Sequence, residues 1–360
     1  MEKVIGKTTV RAGTRISILL LLACVLCGTA IAESSKHVKV GVSIALTGPL
    51  SVVGETLKNA ILLAQQKYDP QQRVQFIFED DVFLPKNTVG IVNKFISEDK
   101  VDALIVFGAS TSFSVVNVAE KNKIPLVGMT VLETLEQGKQ YVLRFFVSTE
   151  DLNERTIAEF TKRNYKDVAV VATVQDATLR QRDHFIDAHV SKIVLSQEFL
   201  PADLDFRASV SRIRALNPAA VYIIMLPPQG STFAKQLRAS GYSGQIVGSL
   251  QLASPAEIKN SEGALVGAWI PSGDDRHAKD FYADYEKAYP DAKAFSESVY
   301  AYDLAKLMIE AAASGDINRY LHSVKNFQGA LGNYGSNGKN SFQFGVTVRE
   351  VTKDGFRYLD

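Results

Sequence analysis

The stretch from Val38 to Tyr68, VKVGVSIALTGPLSVVGETLKNAILLAQQKY, decides the fold. Its first part, Val38–Leu46, is an almost continuous apolar run with β-branched residues, which predicts a strand buried on both faces. A Thr-Gly-Pro triplet interrupts this run, and helical periodicity follows from Ser51 to Tyr68. A buried strand followed at once by such a helix is the first half of a βαβ unit.

Short apolar runs continue to alternate with helical segments along two successive stretches, Val38–Val127 and Leu143–Gly248. Strands that alternate with helices of this length are typical of βαβ units in a parallel sheet. The sequence therefore predicts the α/β class, with two doubly wound parallel-sheet lobes. In such sheets ligands bind beyond the carboxyl ends of the strands, so the loops at these ends are the first candidates for a binding site.

The remaining residues break this rhythm. Asp280–Tyr289, Ser296–Ala313 and Ile317–Val324 have helical patterns, and we expect these helices to pack on the first lobe. After a stretch rich in glycine and asparagine, Phe342–Glu350 alternates enough to predict an antiparallel edge strand. Lys353–Phe356 carries a turn signal before a short closing strand, and we expect both strands to pair with the second lobe.

Composition excludes two broad classes of protein. The chain has 360 residues, of which 46% are hydrophobic and 22% are charged, and its 40 basic residues balance 39 acidic ones. Intrinsic disorder as the main state needs low hydrophobicity and high net charge. Nucleic-acid binding driven by counterion release needs a basic excess, which this chain lacks. The length instead suggests about two globular domains.

Residues 1–32 have the organisation of a secretory signal peptide. Basic residues precede the apolar run Ile16–Val25, and an Ala-x-Ala cleavage site ends at Ala32. The apolar run is shorter than the ~20 residues that span a bilayer, so a membrane anchor is a weaker alternative. Another alternative is lipid attachment at Cys24. The sequence therefore predicts export to the periplasm, with the loss of Cys24 and Cys27 on cleavage.

No catalytic or cofactor motif stands out in the rest of the chain, which lacks GxGxxG, GxxxxGK[ST], GxSxG and HExxH patterns. His184 and His189 lie five residues apart, a spacing that misses one helical face. Asp80 and Asp81 offer too few oxygens for Ca²⁺, and we interpret them as a strand-end pair that caps the next helix. We therefore expect a binding protein with no catalytic residue, no metal and no cofactor.

Six segments in sequence resemble the periplasmic leucine/isoleucine/valine-binding protein family. Single motifs are weak, but their order and spacing are specific, and the likeness extends over residues 38–360. The segments are VKVGVSIALTGPLSVVGETLKNAILLA (38–64), EDDVFLPKNTVGIVNKFISEDKVDALIV (79–106), KIPLVGMT (123–130), YVLRFF (141–146), AAVYIIMLPPQGSTFAKQLRASGYSGQIVGS (219–249) and GFRYLD (355–360).

The resemblance implies a type I periplasmic-binding fold, in which two lobes joined by a three-strand hinge close around one small ligand. We expect lobe 1 to comprise 33–147 plus 272–328, and lobe 2 to comprise 148–271 plus 329–360. The family supplies substrates to ABC importers, which implies an inner-membrane permease as partner. An alternative is a sensory subunit that passes its ligand state to a membrane receptor.

Members of this family hold a ligand carboxylate with hydroxyls and backbone N–H groups of first-lobe loops. The resemblance places Ala109 and a hydroxyl from Ser110 or Thr111 in the first of these loops. It places Met129, Thr130 and Val131 in the second, with Thr130 contributing a hydroxyl. Neutral donors at a helix N-terminus can bind a carboxylate without a full positive charge. The alternative is that Ser110–Ser112 only caps the helix that follows.

The second half of the expected site departs from the family. Amino-acid-binding members usually carry a carboxylate after the strand that ends here at Gly248, whereas this chain has the neutral Gln251. Val53 and Pro227 stand where aromatic residues are common. Asp176 could supply an anion, as could Glu297, although Asp176 is more simply the N-cap of the next helix. We therefore expect a small carboxylate, an amide, or an amino acid bound in a different way.

Overall fold

The computed structural model describes residues 1, 2, 6 and 37–359. From Val38 onward the chain forms one compact unit that contains two large sheets. Apart from residues 1, 2 and 6, the predicted signal peptide (1–32) lies outside the described residues. The same holds for its cleavage site after Ala32 and for the two cysteines, Cys24 and Cys27. No helix within the described ranges is long and apolar enough to cross a membrane.

Five parallel strands form the first sheet. They are β1 (Val38–Ile44), β2 (Val74–Asp80), β3 (Ala103–Phe107), β4 (Leu126–Met129) and β5 (Val142–Arg144). Their spatial order is β2-β1-β3-β4-β5, so β1 has a neighbour on each side. Val40 and Val42 of β1 are fully buried on one face and Ser43 is fully buried on the other, which confirms the prediction of a strand covered on both faces.

Three helices connect these strands, namely α1 (Ser51–Tyr68), α2 (Pro85–Lys94) and α3 (Ala109–Asn122). The predicted periodicity of α1 is confirmed, because Leu57, Ile61 and Ala64 are buried on one face. Full burial of a Leu or Ile side chain stabilises a fold by about 1.5–3 kcal/mol. The first turn of α1 lies directly on the chain after β1, since a Cβ on Gly54 would be 1.8 Å from the Ala45 carbonyl oxygen.

The second sheet begins with five parallel strands in the spatial order β10-β9-β8-β6-β7. They are β6 (Asp167–Thr173), β7 (Lys192–Phe199), β8 (Ala220–Ile224), β9 (Gln245–Gly248) and β10 (Trp269–Gly273). The connecting helices are α4 (Thr149–Arg163), α5 (Asp176–Asp187), α6 (Arg207–Leu216), α7 (Gln229–Ala239) and α8 (Pro255–Asn260). A 3₁₀ turn, Leu250–Ala253, follows β9.

An aromatic group fills one face of this second sheet. Trp269 on β10 is 1% exposed, and its ring centroid lies 5.4 Å from that of Phe160 on α4. Its indole Nε1 donates a hydrogen bond of 3.2 Å to the Tyr165 hydroxyl, and the Arg163 guanidinium lies 5.5 Å from its ring centroid. A polar partner for the indole N–H allows so large an apolar ring to be buried.

The chain then returns to the first sheet. This part contains α9 (Lys279–Ala288), α10 (Ser296–Ser314), α11 (Ile317–Ser323), β11 (Phe327–Gly329) and β12 (Gly332–Tyr334). Helix α10 packs along α1. The buried Asp303 of α10 accepts hydrogen bonds from Ala330 N (2.7 Å), Leu331 N (2.9 Å) and the Tyr334 hydroxyl (3.0 Å), and so fixes the β11–β12 hairpin.

Two antiparallel strands, β13 (Val346–Val351) and β14 (Phe356–Tyr358), complete the second sheet. Strand β13 pairs with β10 on one side and β14 on the other. The prediction that it lies at the edge is therefore wrong, since β14 is the edge strand. It also starts later than predicted, because Phe342 and Phe344 pack their rings against Phe145 beside the first sheet.

Three short segments carry the chain between the two sheets, after β5, after β10 and before β13. The last one begins later than the 328/329 boundary inferred from sequence. Arg144 N donates to the Asn340 carbonyl (2.9 Å), and Tyr334, Phe342 and Phe344 belong to the apolar core of the first sheet. The chain therefore stays with the first sheet until about Gly345.

Candidate functional site

Each sheet has a crevice at the point where the connections that follow two neighbouring strands run in opposite directions. In the first sheet β1 lies between β2 and β3, and in the second β6 lies between β7 and β8. Loops that follow such paired strands separate at their carboxyl ends and leave room for a ligand. The candidate crevices are therefore formed by the loops after β1 and β3 and by those after β6 and β8.

Most of the residues expected from the sequence lie at these edges. Val53 and Ala109–Thr111 occupy the first turns of α1 and α3, which border the first crevice. Asp176 and Pro227 follow β6 and β8, which border the second. The others lie at the end of a neighbouring strand or just after it, and they are Met129, Thr130, Val131 and Gln251.

The N-terminus of α3 has backbone donors without partners. Its N-cap is Gly108, at a φ of +96°, and no side chain caps it. The N–H groups of Ala109, Ser110 and Thr111 donate to no acceptor within residues 37–359. The Ser110 side chain is exposed beside them. Free N–H groups at the positive end of a helix dipole favour an anion.

The other two hydroxyls of this turn are used within the fold. Thr111 is fully buried and donates to the carbonyl oxygens of Phe107 and Gly108, and Ser112 donates to the Val106 carbonyl (3.2 Å). The alternative that Ser110–Ser112 caps the helix is therefore wrong, because these hydroxyls meet carbonyl oxygens and no N–H group. Ser110 alone keeps an accessible hydroxyl.

Asp80 and Asp81 hold the adjoining loops in place. Asp80 accepts hydrogen bonds from Leu46 N (2.8 Å) and from Thr47, and these outweigh the effect of burial and lower the pKa of its carboxyl. Asp81 is fully buried and accepts from Ser43 Oγ and Phe83 N, both at 2.8 Å, although burial raises its pKa.

The interpretation of this pair as a helix cap is wrong. The N-cap of α2 is Leu84, and no side chain accepts a hydrogen bond there. The pair instead shapes the crevice, because Phe83 packs against Gly108, where an added Cβ would lie 2.3 Å from the ring. No group of three or more metal-ligating side chains occurs among the described residues.

The loop after β4 joins the same edge. Gly108 N donates to the Met129 carbonyl (3.1 Å), which ties it to the α3 turn. Thr130 Oγ1 accepts a hydrogen bond from Leu132 N (3.3 Å), so its hydroxyl proton stays available to a ligand. The Val131 carbonyl accepts from both the N–H (2.9 Å) and the hydroxyl (3.1 Å) of Thr149, which anchors the first chain crossing at this point.

The helix ends of the second sheet are satisfied within the protein. Gln175 caps α5 by accepting from Ala177 N (3.0 Å), so the expectation that Asp176 is the N-cap is wrong. Asp176 is the first residue of the helix and is exposed. At α7, the buried Glu257 accepts from Ser231 N (2.7 Å) and Ser231 Oγ (3.1 Å), and burial raises the pKa of its carboxyl.

Gln229 was not among the residues expected from sequence, yet it organises the loop after β8. Its Oε1 accepts from Thr173 Oγ1 (2.5 Å), and its Nε2 donates to the Leu200 carbonyl (2.7 Å). Pro227 lies exposed in the same loop. No sequence motif marks Gln229 or Glu257, because the residues that their side chains contact are distant in the chain.

Gln251 lies in the 3₁₀ turn after β9. Its Oε1 is buried and accepts no hydrogen bond from the described residues, and the same holds for the hydroxyl of nearby Ser249. Both are polar atoms that a ligand could satisfy. No carboxylate lies in this turn, in agreement with the departure noted in the sequence.

A cavity of about 800 Å³ lies where the chain crosses between the sheets. Its walls come from the first crossing, the turn after β9, the start of α10 and the β13–β14 hairpin. None of the residues proposed above from the resemblance lines it, but Glu297 does. The lining residues used below are Phe146, Val147, Leu250, Gly273, Asp275, Phe295, Glu297, Tyr300 and Arg349.

A polar network closes one side of this cavity. Asp275 accepts hydrogen bonds from the hydroxyls of Tyr282 (2.8 Å) and Tyr358 (2.6 Å), and Arg349 lies 3.5 Å away. Burial, followed by the charge of Asp275, raises the pKa of Tyr282. No sequence motif marks this network, because its members lie far apart in the chain, after β10, on α9 and on the last two strands, and meet only in the folded protein.

Comparison with known proteins gives one family match. The family model described as periplasmic binding protein matches residues 37–352. The Leu/Ile/Val-binding protein BraC3 of Rhizobium johnstonii is 25% identical over 59% of this chain and 60% of its own length. The Leu/Ile/Val-binding protein homolog 3 of Brucella melitensis is 23% identical over 82% of this chain and 86% of its own.

Solved structures with the same fold include two with bound ligands. The branched-chain amino acid transporter substrate-binding protein LivJ of Streptococcus pneumoniae, in complex with isoleucine, has a TM-score of 0.80 at 18% identity, covering 89% of this chain and 98% of its own. A solute-binding protein of an ABC transporter from R. palustris, in complex with benzoate, has a TM-score of 0.76 at 18% identity, covering 89% and 95%.

Proposed function

Because this chain belongs to the periplasmic binding protein family, a family of substrate-binding proteins, we propose that it serves a branched-chain amino-acid-type ABC importer. Its two lobes close by hinge motion around one small ligand, which is then delivered to a permease in the inner membrane. The alternative of a sensory subunit is not favoured by the relatives described above.

The observation that carries this proposal is the unsatisfied N-terminus of α3. Three N–H groups that no described residue accepts and the exposed Ser110 hydroxyl lie at the carboxyl edge of the first sheet, and the Thr130 hydroxyl lies in the loop after the neighbouring strand β4. A ligand carboxylate there would gain charge-assisted hydrogen bonds from donors that are otherwise left without partners. Ala109, Met129, Val131 and Val53 would supply the surrounding contacts.

The second lobe faces the ligand with neutral or exposed groups. Gln251 would offer its buried amide, Pro227 an apolar contact and Asp176 a more distant charge. An unpaired ammonium buried at a closed interface costs several kcal/mol, and a Gln amide alone would not offset that. We therefore propose a small carboxylate or amide ligand, or an amino acid whose ammonium is bound elsewhere. Isoleucine and benzoate, bound by the two structural relatives, both carry a carboxylate.

The lobe boundaries belong to the same proposal. Lobe 1 would comprise 33–147 plus the return segment from 272, and lobe 2 would comprise 148–271 plus the C-terminal strands. We place the last crossing at about Gly345, because Tyr334, Phe342 and Phe344 pack with the first sheet. Export to the periplasm would follow removal of residues 1–32, with a lipid anchor at Cys24 as the alternative.

Titration calorimetry tests the proposed carboxylate site with leucine, valine, short-chain carboxylates, aromatic acids and amides as probes. For whichever probes bind, Ser110→Ala and Thr130→Ala should each weaken binding by about 1–3 kcal/mol, because a charged oxygen loses a donor. Ser323→Ala is the control, since this exposed hydroxyl of α11 donates only to backbone carbonyls within its own helix. Equal affinities in all three variants would contradict the proposed site.

A further inference from the structure

Glu297 is an acid at the cavity whose carboxylate lacks a partner. It is the second residue of α10 and is partly buried among the cavity walls. Among the described residues, its carboxylate has a hydrogen bond only with its own backbone N–H. Burial raises the pKa of its carboxyl, and the neighbouring Asp275 adds to this effect while Arg349 opposes it. The carboxylate thus lies in a position where a cation would relieve its desolvation.

The neighbouring charges are already engaged with each other. Asp275 accepts from two tyrosine hydroxyls and from Arg349, as described above. The basic side chains that also line the cavity, Lys259, Lys293 and Lys353, are exposed at its mouth. Asp354, the other acid of the lining, is exposed, so Glu297 is the partly buried acid that this cavity leaves for a bound molecule.

A second observation points to a ligand. Tyr300, one turn further along α10, is 1% exposed, and its hydroxyl has no hydrogen-bond partner among residues 37–359. It lines the cavity and lies against Gly273, where an added Cβ would be 2.0 Å from the hydroxyl oxygen. Arg349 Nε is likewise buried without a partner. Buried polar atoms of this kind are normally satisfied.

The remaining wall is apolar. Phe146, Val147, Leu250 and Phe295 line it, and the rings of Phe146 and Tyr300 lie 4.3 Å apart at their centroids. The first crossing links this cavity to the loop after β4, because Val147 lines the cavity and Thr149, two residues later, donates to the Val131 carbonyl.

We propose that Glu297 accepts the ammonium group of the ligand, with the Tyr300 hydroxyl oxygen as a second acceptor, so that the ligand is an apolar amino acid. This inference rests on the proposed function and assigns the ammonium to the start of α10 in place of the turn after β9. The missing carboxylate beside Gln251 is then compensated from the other lobe.

Matched pairs of probes that differ only in the amino group test this assignment. Calorimetry compares L-leucine with 4-methylpentanoate and L-phenylalanine with 3-phenylpropanoate. In the natural sequence the amino acid of a pair should bind more tightly. Glu297→Gln should weaken amino-acid binding by at least about 30-fold and leave the deaminated partner within about threefold, because a buried charge loses its counter-charge.

Two further variants separate charge from folding. Glu297→Asp should restore part of the affinity for the amino acid, since it restores the carboxylate. Glu286→Gln removes an exposed acid of α9 that does not line the cavity, and it should change neither probe. Equal thermal midpoints for Glu297→Gln and the natural sequence would show that the binding loss is local.

Three results would count against the inference in different ways. Amino-acid binding that survives Glu297→Gln would overturn the role of Glu297 and leave the proposed function intact. Tighter binding of the deaminated partner would do the same, and would favour a plain carboxylate ligand. If neither member of either pair binds, the proposed function fails for these ligands and the inference fails with it.

Discussion

The helix N-termini that border the two crevices differ in whether their N–H groups have hydrogen-bond partners within the described structure. At the first sheet, α3 begins with three N–H groups that no described residue satisfies. At the second, Gln175 caps α5 and Glu257 accepts from the first turn of α7. Two lobes with the same architecture thus differ in which one keeps donors for a ligand. A shared α/β frame therefore does not make the two lobes chemically equivalent.

The largest loss of stability should come from a substitution in α1, which borders the first crevice together with α3. Gly54→Ala would place a methyl 1.8 Å from the Ala45 carbonyl oxygen, which only a shift of α1 could relieve. We expect a loss of about 3–5 kcal/mol in the free energy of unfolding, measured by urea denaturation. Gly90→Ala in α2 is the matched control, because nothing lies within 4 Å of its added Cβ. It should stabilise by up to about 1 kcal/mol.

A buried carboxylate also satisfies N–H groups on the first-sheet side, in the β11–β12 hairpin. Burial raises the pKa of Asp303 from 3.8 to about 6, despite hydrogen bonds from Leu331 N and Ala330 N. Between these two values the folded state binds more protons than the unfolded state, so stability falls as pH rises from about 4 to 7. The expected contribution of this group to that fall is up to about 3 kcal/mol.

Asp303→Asn isolates this contribution, because the amide does not titrate. The difference in unfolding free energy between the natural sequence and the variant should be most favourable to the natural sequence near pH 4. It should then decrease towards pH 7. A difference that is constant with pH would contradict the assignment of the raised pKa to Asp303.

At the second sheet, Glu257 satisfies the N-terminus of α7. Glu257→Ala should lower the free energy of unfolding by about 2 kcal/mol, because the Ser231 N–H loses its buried acceptor. Glu262→Ala is the control, since Glu262 is exposed and pairs only with Lys235 at the surface. Urea denaturation measures both. If Glu257→Ala left the free energy of unfolding unchanged, the hydrogen bonds that Glu257 accepts at the N-terminus of α7 would not contribute to stability.

The smallest effect on stability is expected at the N-terminus of α3, where the N–H groups have no partner among the described residues. Ser110→Ala at the open end should change the free energy of unfolding by less than about 0.5 kcal/mol, because the side chain is exposed and without a hydrogen bond in the described structure. The same variant should weaken ligand binding, as stated above. A stability loss comparable with that of Glu257→Ala would show that the two helix ends are equivalent after all.

The sequence predicts the strands and helices far better than it predicts which residues cap the helices. The strand at Val40–Val42 and the helical face of Leu57 and Ile61 follow from periodicity alone, and both are confirmed. The cap of α5 was misplaced by one residue. Gln175 has an extended backbone (φ −158°, ψ 143°) whereas Asp176 is already helical, and residue type does not fix where that change occurs.

The cavity could not be predicted for a different reason. Its walls join Phe146, Leu250, Glu297 and Arg349, which are far apart in the chain and meet only because the crossings bring both sheets together. Sequence patterns describe single strands and helices, so they locate loops at strand ends but not contacts between crossings. The sequence could suggest Glu297 as a source of an anion, but nothing in its sequence context placed it in a cavity.

Trp269 has a consequence for spectroscopy. It is the single tryptophan of the chain, and it is buried in the second sheet beside Phe160 and Arg163. Its fluorescence should therefore be blue-shifted, protected from aqueous quenchers and sensitive to the melting of that sheet alone. Far-UV circular dichroism reports on both sheets, so an emission midpoint that differs from the dichroism midpoint would reveal that the halves of this molecule unfold separately.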